Sequence, residues 1–291
     1  MDHVTAMVSC FVRAYHYKNK RVHIFEDNAA ELLLGSEYDK ISQNLINGIN
    51  FFLPEFQGTK EEGLRLIVDN QLSPSVLGRS AYCEKKLEET IHRGCRQYIL
   101  FASGYDTFAV RNKEDLLSVF EIDLPEVLTD KLERIEKAGI KSEAAYVSCN
   151  LATDNWKEKL MDAGFKSDKK SFGSLLGISY YLSKEDFKCL LKSINDIFTQ
   201  ESVICFDFPS EKESKETKIN QMLAQEAGEK MKSLFSDEEM EALLMECGFS
   251  ISEHLDYEEI TKQYFSEYNK CDATCSMQAP IGVEYVLAVK R

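Results

Sequence analysis

With 291 residues, 44% of them hydrophobic and 29% charged, the chain has the composition of a globular protein with a sizeable core. Its net charge of −14 repels polyanions at long range, which argues against nucleic acid and anionic membrane surfaces as partners. The length admits two small domains or one large α/β domain with additions, and the second fits better.

The opening stretch, MDHVTAMVSCFVRAYHYKNK, holds an apolar run only from residue 4 to 12, with an acidic residue ahead of it and basic residues behind. That order is the reverse of a signal peptide. No apolar run approaches the roughly 20 residues that span a bilayer. A soluble, cytoplasmic protein is therefore expected, with room for self-association into a homo-oligomer. The nine cysteines are scattered through apolar segments and odd in number, which suggests reduced thiols. Cys271 and Cys275 share a short spacing, but no second Cys or His pair accompanies them, so no structural metal is expected.

The first eighty or so residues show no strand pattern. Residues 29–34 and 43–52 read as helical segments broken near Gly35 and Pro54, which predicts an N-terminal helical cap over residues 1–80. From there β-branched and aromatic runs recur at 97–101, 118–122, 145–149, 173–178, 202–206, 249–254 and 283–289, separated by longer segments of helical period. Such alternation predicts βαβ units, and hence a doubly wound, mostly parallel seven-stranded α/β sheet over residues 81–291 that forms one compact unit with the cap. Pro125 suits a first helical turn, after which Val127, Leu128, Leu132, Ile135 and Ala138 make one apolar face ending at Gly139. Ser183 with Asp186, and Ser236 with Glu239, resemble capping boxes ahead of two further amphipathic helices. The charged stretch at about 210–235 interrupts the rhythm and reads as an insertion after the fifth strand.

Chemistry concentrates at QYILFASGYDTFAVR, residues 97–111, where an apolar strand runs into Ala102, Ser103 and Gly104, followed by Asp106. Small residues at that point let a ligand approach the backbone, and open α/β sheets bind ligands outside the carboxyl ends of their strands. The next strand ends in Glu121, Ile122 and Asp123. An acid there, about 20 residues past the turn, is placed to accept hydrogen bonds from ribose hydroxyls. Either aspartate alone would more often cap a helix or face solvent; their paired spacing favours a nucleoside site.

These residues resemble the leucine carboxyl methyltransferase family, including its bacterial branch of S-adenosylmethionine-dependent O-methyltransferases of secondary metabolism. The match covers most of the chain. It rests on a GAG-L-DT-R-AYR-like turn, here ASGYDTFAVR; on an E-x-D-x-P-like second strand, here Glu121, Asp123 and Pro125, with Leu124 between the last two; and on a D-L…W…L…GF-like segment, here NLATDNWKEKLMDAGF, which holds Asn150 and Leu151. The resemblance implies the class I methyltransferase fold, S-adenosylmethionine as cofactor, a small-molecule acceptor with a carboxylate or hydroxyl, and no metal. It also implies that Arg79, ahead of a helix expected over 81–92, pairs with the methionine carboxylate of the cofactor, and that Arg13 lines the site.

The chain departs from the family pattern in several places. Ala102 and Ser103 stand where the family turn has glycine and alanine. Asn150 replaces an aspartate that approaches the adenine amino group, and its carbonyl can still accept that hydrogen bond. Leu176 replaces a fourth-strand glutamate, which argues against a peptide-carboxyl acceptor. Tyr180 and Tyr181 lie just beyond as candidates for an acceptor pocket. Two rivals remain: a nicotinamide oxidoreductase, which lacks its full G-x-G-x-x-G turn, and a non-catalytic nucleoside- or partner-binding module on the same fold, which Leu176 and the altered turn keep open.

Overall fold

A computed structural model describes residues 4–212, 222, 231–271 and 276–291. Its centre is a seven-stranded sheet of β1 (Gln97–Phe101), β2 (Ser118–Asp123), β3 (Ala145–Ser148), β4 (Ser171–Leu175), β5 (Val203–Pro209), β6 (Phe249–Leu255) and β7 (Val283–Lys290). The strand order is β3-β2-β1-β4-β5-β7-β6. β1 to β5 pair in parallel, whereas β7 runs antiparallel to both β5 and β6. β1 and β5 are buried along their whole length, as continuous apolar strands covered on both faces must be.

The fourth strand sits earlier than the expected 173–178, because its pairing with β1 begins at Gln97↔Ser171. It ends at Leu175 because the chain turns at Gly177, whose backbone has φ +69 and whose N–H donates to the Asp207 carboxylate instead of a neighbouring strand. The insertion expected at about 210–235 lies largely outside the described residues. At its two ends Ser210 bridges to Phe235, and the Lys232 N–H donates to the Tyr180 carbonyl.

Helices cover both faces of the sheet. The one after β2 begins at Pro125 and ends where Gly139 adopts a left-handed conformation, as its sequence predicts, but its buried face differs from the expected one. Leu132 is 40% exposed and Lys131 is buried, because the Lys131 ammonium reaches the wholly buried carboxylate of Glu121 on β2. The helices Lys184–Ile197 and Asp237–Glu246 start at Ser183 and Ser236, each accepting a hydrogen bond from the backbone N–H three residues on.

Ahead of the sheet come α1 (Val4–Asn19), α2 (Ala30–Leu34), α3 (Glu37–Asn47), α4 (Ile49–Phe52) and α5 (Lys60–Ile67). A wider π-helical turn then leads into α6 (Ser73–His92), which runs without a break across residue 80. Residues 10–16 of α1 are all buried. Cys10, Phe11, Ala14 and Tyr15 pack with Leu33, Leu34 and Val68 and, from the sheet side, with Tyr105 and Ile135.

A carboxylate pins this cap. Asp27, 1% exposed, accepts hydrogen bonds from Arg13 Nε at 2.8 Å and from the Thr107 hydroxyl at 2.7 Å, and Arg111 lies 3.4 Å away. Burial by itself would raise its pKa; the two guanidiniums and the hydroxyl more than offset this and hold the carboxyl below its usual range. Asp27→Ala leaves Arg13 buried without its counter-charge and is expected to destabilise the fold by about 3–5 kcal/mol in equilibrium urea unfolding at neutral pH. A loss below about 1 kcal/mol would mean that apolar packing alone seats the cap.

Candidate cofactor and acceptor site

A cavity of about 770 Å³ opens at the carboxyl ends of β1, β2 and β4, with α1 and α6 as its opposite wall. The turn after β1 forms its floor. Ala102 and Gly104 both have positive φ, 54 and 50. For alanine the left-handed region is unfavourable by about 1–2 kcal/mol, so the surroundings must hold it there. Asp123 supplies the hold: one carboxylate oxygen accepts the Gly104 N–H at 2.6 Å and the other accepts the Leu124 N–H at 2.7 Å. Asp106 accepts the Phe108 N–H at 2.7 Å and starts the short helix that follows. Gly104 also lies close under α1, where an added Cβ would come within 3.2 Å of the Ala6 methyl.

Arg79 stands opposite, in the second turn of α6 and not ahead of a helix as its sequence suggests, because α6 begins at Ser73. Its Nη1 donates to Asp207 Oδ2 at 3.3 Å and its Nη2 to the Ser9 hydroxyl at 3.4 Å. Burial disfavours its charge, but Asp207 and the phenols around it more than compensate, so the guanidinium stays protonated. Asp207, wholly buried on β5, also accepts the Gly177 N–H at 2.7 Å and the Tyr180 hydroxyl at 2.8 Å. Burial followed by the Asp207 charge pushes the Tyr180 phenol well above its ordinary pKa, so it remains a donor at neutral pH.

Of the residues expected in the site, Arg13, Arg79, Ala102, Ser103, Gly104, Asp106, Asp123, Leu124, Tyr180 and Tyr181 line this one cavity. Arg13 lines it with its guanidinium already engaged, by Asp27 and by the Tyr105 carbonyl at 2.7 Å. Asn150 and Leu151 follow β3 and are not part of the lining. The Asn150 side-chain carbonyl accepts the Ala152 N–H at 2.9 Å and so closes its own turn. Asp207 went unnoticed in the sequence, although an acid inside the apolar run VICFDFP was the available signal.

Among the described residues, Asp237, His254 and Glu284 bring possible ligand atoms within 4.8 Å of one another beside this cavity. They are arranged as an ion-pair cluster: Glu284 meets His254 Nε2 at 2.6 Å and the Lys212 ammonium at 3.1 Å. Cys275, which shares the short spacing with Cys271, lies outside the described residues.

Sheet order, covering helices and a cavity at the strand ends define a class I methyltransferase fold. Solved structures share it: a DUF574 family protein from Streptomyces avermitilis has a TM-score of 0.60 at 13% identity, covering 97% of each chain. Magnesium protoporphyrin IX methyltransferase from Synechocystis PCC 6803, with bound S-adenosylhomocysteine, has a TM-score of 0.50 at 10% identity, covering 98% of this chain and 100% of that one. The chain belongs to the leucine carboxyl methyltransferase family, whose model matches residues 6–195. It is 33% identical over 303 residues to a Bacillus subtilis protein whose provisional name is S-adenosyl-L-methionine-dependent methyltransferase YktD, covering 99% of this chain and 98% of the relative. It is thus an S-adenosylmethionine-dependent methyltransferase.

Two measurements follow from the geometry. Ala102→Gly relieves the left-handed strain but frees the unfolded chain, so its stability should lie between unchanged and about 1 kcal/mol higher. A clear destabilisation in urea unfolding would contradict the positive φ. At the ion-pair cluster, the hydrogen bond that His254 donates to the Glu284 carboxylate raises the pKa of His254. The stability it contributes is full below the unfolded value of about 6.5 and is lost as pH rises through the higher folded value. The melting temperature lost in His254→Asn should therefore be larger near pH 5.5 than near pH 9. An equal loss at both would show that the imidazole acts by packing alone.

Proposed function

We propose that the chain transfers the methyl group of S-adenosylmethionine to a carboxylate or hydroxyl oxygen of a small molecule, in the cytoplasm and without a metal. The observation that carries this reading is Arg79, a partly buried guanidinium held by Asp207 at the wall of the cavity whose floor is the Ala102–Gly104 turn. A planar guanidinium is the natural partner of a carboxylate, and here it would take that of the cofactor's methionine. Asp123 would take the ribose hydroxyls, since it lines the cavity at the end of β2 as a hydrogen-bond acceptor. Leu124 and Asp106, which line the same end of the cavity, would border the base.

When bound, the cofactor supplies a sulfonium methyl group already activated for in-line displacement. What the chain must add is alignment, and holding nucleophile, methyl carbon and sulfur in line can supply several kcal/mol of the barrier. Tyr180, fixed by its hydrogen bond to Asp207, would position the acceptor oxygen together with Tyr181. A carboxylate acceptor needs no general base. Leu176 at the cavity wall leaves no acid where the family carries its glutamate, so the acceptor differs from a peptide carboxyl terminus. The eight described cysteines carry no disulfide, which fits a reducing compartment.

Calorimetry with S-adenosylhomocysteine tests the assignment. Wild type should bind about one molecule per chain, and Arg79→Ala should lose about 1.5–3 kcal/mol of affinity, with Arg79→Lys recovering part of the loss. Equal affinity in wild type and Arg79→Ala would remove Arg79 from the site. Treatment with a chelator should leave methyl transfer unchanged; its loss would contradict the metal-free reading. Cofactor binding without methyl transfer to any acceptor in an extract would favour a binding module on the same fold.

A further inference from the structure

We infer that the methyl acceptor has an uncharged, predominantly apolar body, an alkyl or aryl group seated against the helical cap; this rests on the methyltransferase reading above. The two halves of the cavity differ in chemistry. Ser103, Asp106, Asp123 and Tyr180 line it at and beyond the strand ends, with Arg79 of α6 facing them, where the cofactor would lie. The cap side carries Val4 and Val8 of α1, Leu45 of α3, Phe52 of α4, Leu72 and Val76, and the polar members between them, such as Ser9, Gln71 and Ser75, are uncharged. Among the described residues, the charged groups on the helical wall are Arg13, engaged by Asp27 and the Tyr105 carbonyl, and Arg79, engaged by Asp207.

A charged body placed there would lose its hydration and find no counter-charge, which is strongly unfavourable, whereas apolar surface gains by leaving water. From the opposite flank two lysines join the lining, Lys212 paired with Glu284 and Lys232 at an exposed position on the rim. Neither supplies the cap side with a charge.

The cavity, of about 770 Å³, lies in the upper part of the range of about 300–1,000 Å³ over which pockets take drug-sized molecules. The cap also carries exposed apolar surface. None of the residues of α4 is buried, and Phe51, next to the lining residue Phe52, is 52% exposed. An apolar acceptor would cover surface that the protein leaves open to water.

N-phenyl-1-naphthylamine, neutral and apolar, is a suitable probe with the full-length chain saturated in S-adenosylhomocysteine. Its fluorescence should rise on binding a single saturable site, and excess S-adenosylhomocysteine should not displace it. Leu45→Asp and Phe52→Asp should each weaken the probe by at least about tenfold, while calorimetric affinity for S-adenosylhomocysteine stays within about twofold. Should an aspartate unfold the cap, Leu45→Ala and Phe52→Leu, with melting temperatures recorded, should show a smaller graded loss of probe binding. The inference is overturned if the loaded protein has no saturable probe site, if S-adenosylhomocysteine displaces the probe, or if the variants bind the probe as wild type does. S-adenosylhomocysteine that binds while the probe does not would sink the apolar acceptor alone; failure of S-adenosylhomocysteine to bind would sink the cofactor reading itself.

Discussion

Everything on the cap side of the cavity depends on one buried carboxylate. Asp27 takes Arg13 from α1, Thr107 from the turn after β1 and the nearby guanidinium of Arg111 into a single cluster, and Arg13 goes on to the Tyr105 carbonyl. Arg111 extends the cluster to Glu84 on α6. Cap, first turn and α6 thus converge on the same few charges. A buried ion cluster adds little net stability over a well-packed apolar contact, but it is intolerant of displacement, since moving one member strands another. It therefore fixes where α1 stands above the Ala102–Gly104 turn, and with it the shape of the cavity.

Two further carboxylates act in the same sense at the edge of the sheet. Asp123 at the end of β2 holds the turn after β1 by its backbone, and Asp207 on β5 holds the turn after β4 together with Tyr180 and Arg79. In each case an acid at one strand end accepts N–H groups from the loop of a neighbouring strand. The loops around the cavity are therefore tied to the sheet and not only to themselves. Methyl transfer from an activated donor asks for alignment within fractions of an ångström, and rigid loops supply it before any ligand arrives.

Much of the fold was legible because local signals agreed with the tertiary result. Ser183, Ser236, Pro125 and Gly139 start or stop helices where their chemistry predicts, and the apolar runs became strands within a few residues. The misses share a cause. Lys131 falls outside the apolar face that the sequence predicts, yet it is buried because Glu121, ten positions earlier and on a strand, needs its charge. The fourth strand was displaced because Gly177 gives its N–H to a carboxylate on β5, thirty residues away. Asp207 and Asp27 escaped notice for the same reason: their partners come from segments remote in sequence, and local periodicity carries no trace of such a pairing. Asn150 shows the opposite case, a residue whose short-range capacity to close its own turn is realised in the structure.

The distribution of charge carries the synthesis one step further. The chain has 49 acidic and 35 basic residues, yet the acids that matter to the site are consumed by backbone N–H groups, by Arg79 or by Arg13 and Arg111. The excess of negative charge is therefore a property of the surface and not of the cavity. At long range it disfavours polyanionic partners, while inside the cavity a guanidinium faces a floor of backbone and small side chains. In the reading proposed above, Arg79 would meet the methionine carboxylate of the cofactor and Asp123 its ribose from different walls of one cavity, and each is already held in place, Arg79 by Asp207 on β5 and Asp123 by the backbone of the turn after β1, so that a strongly acidic protein would keep a cation where an anionic group of the ligand needs it.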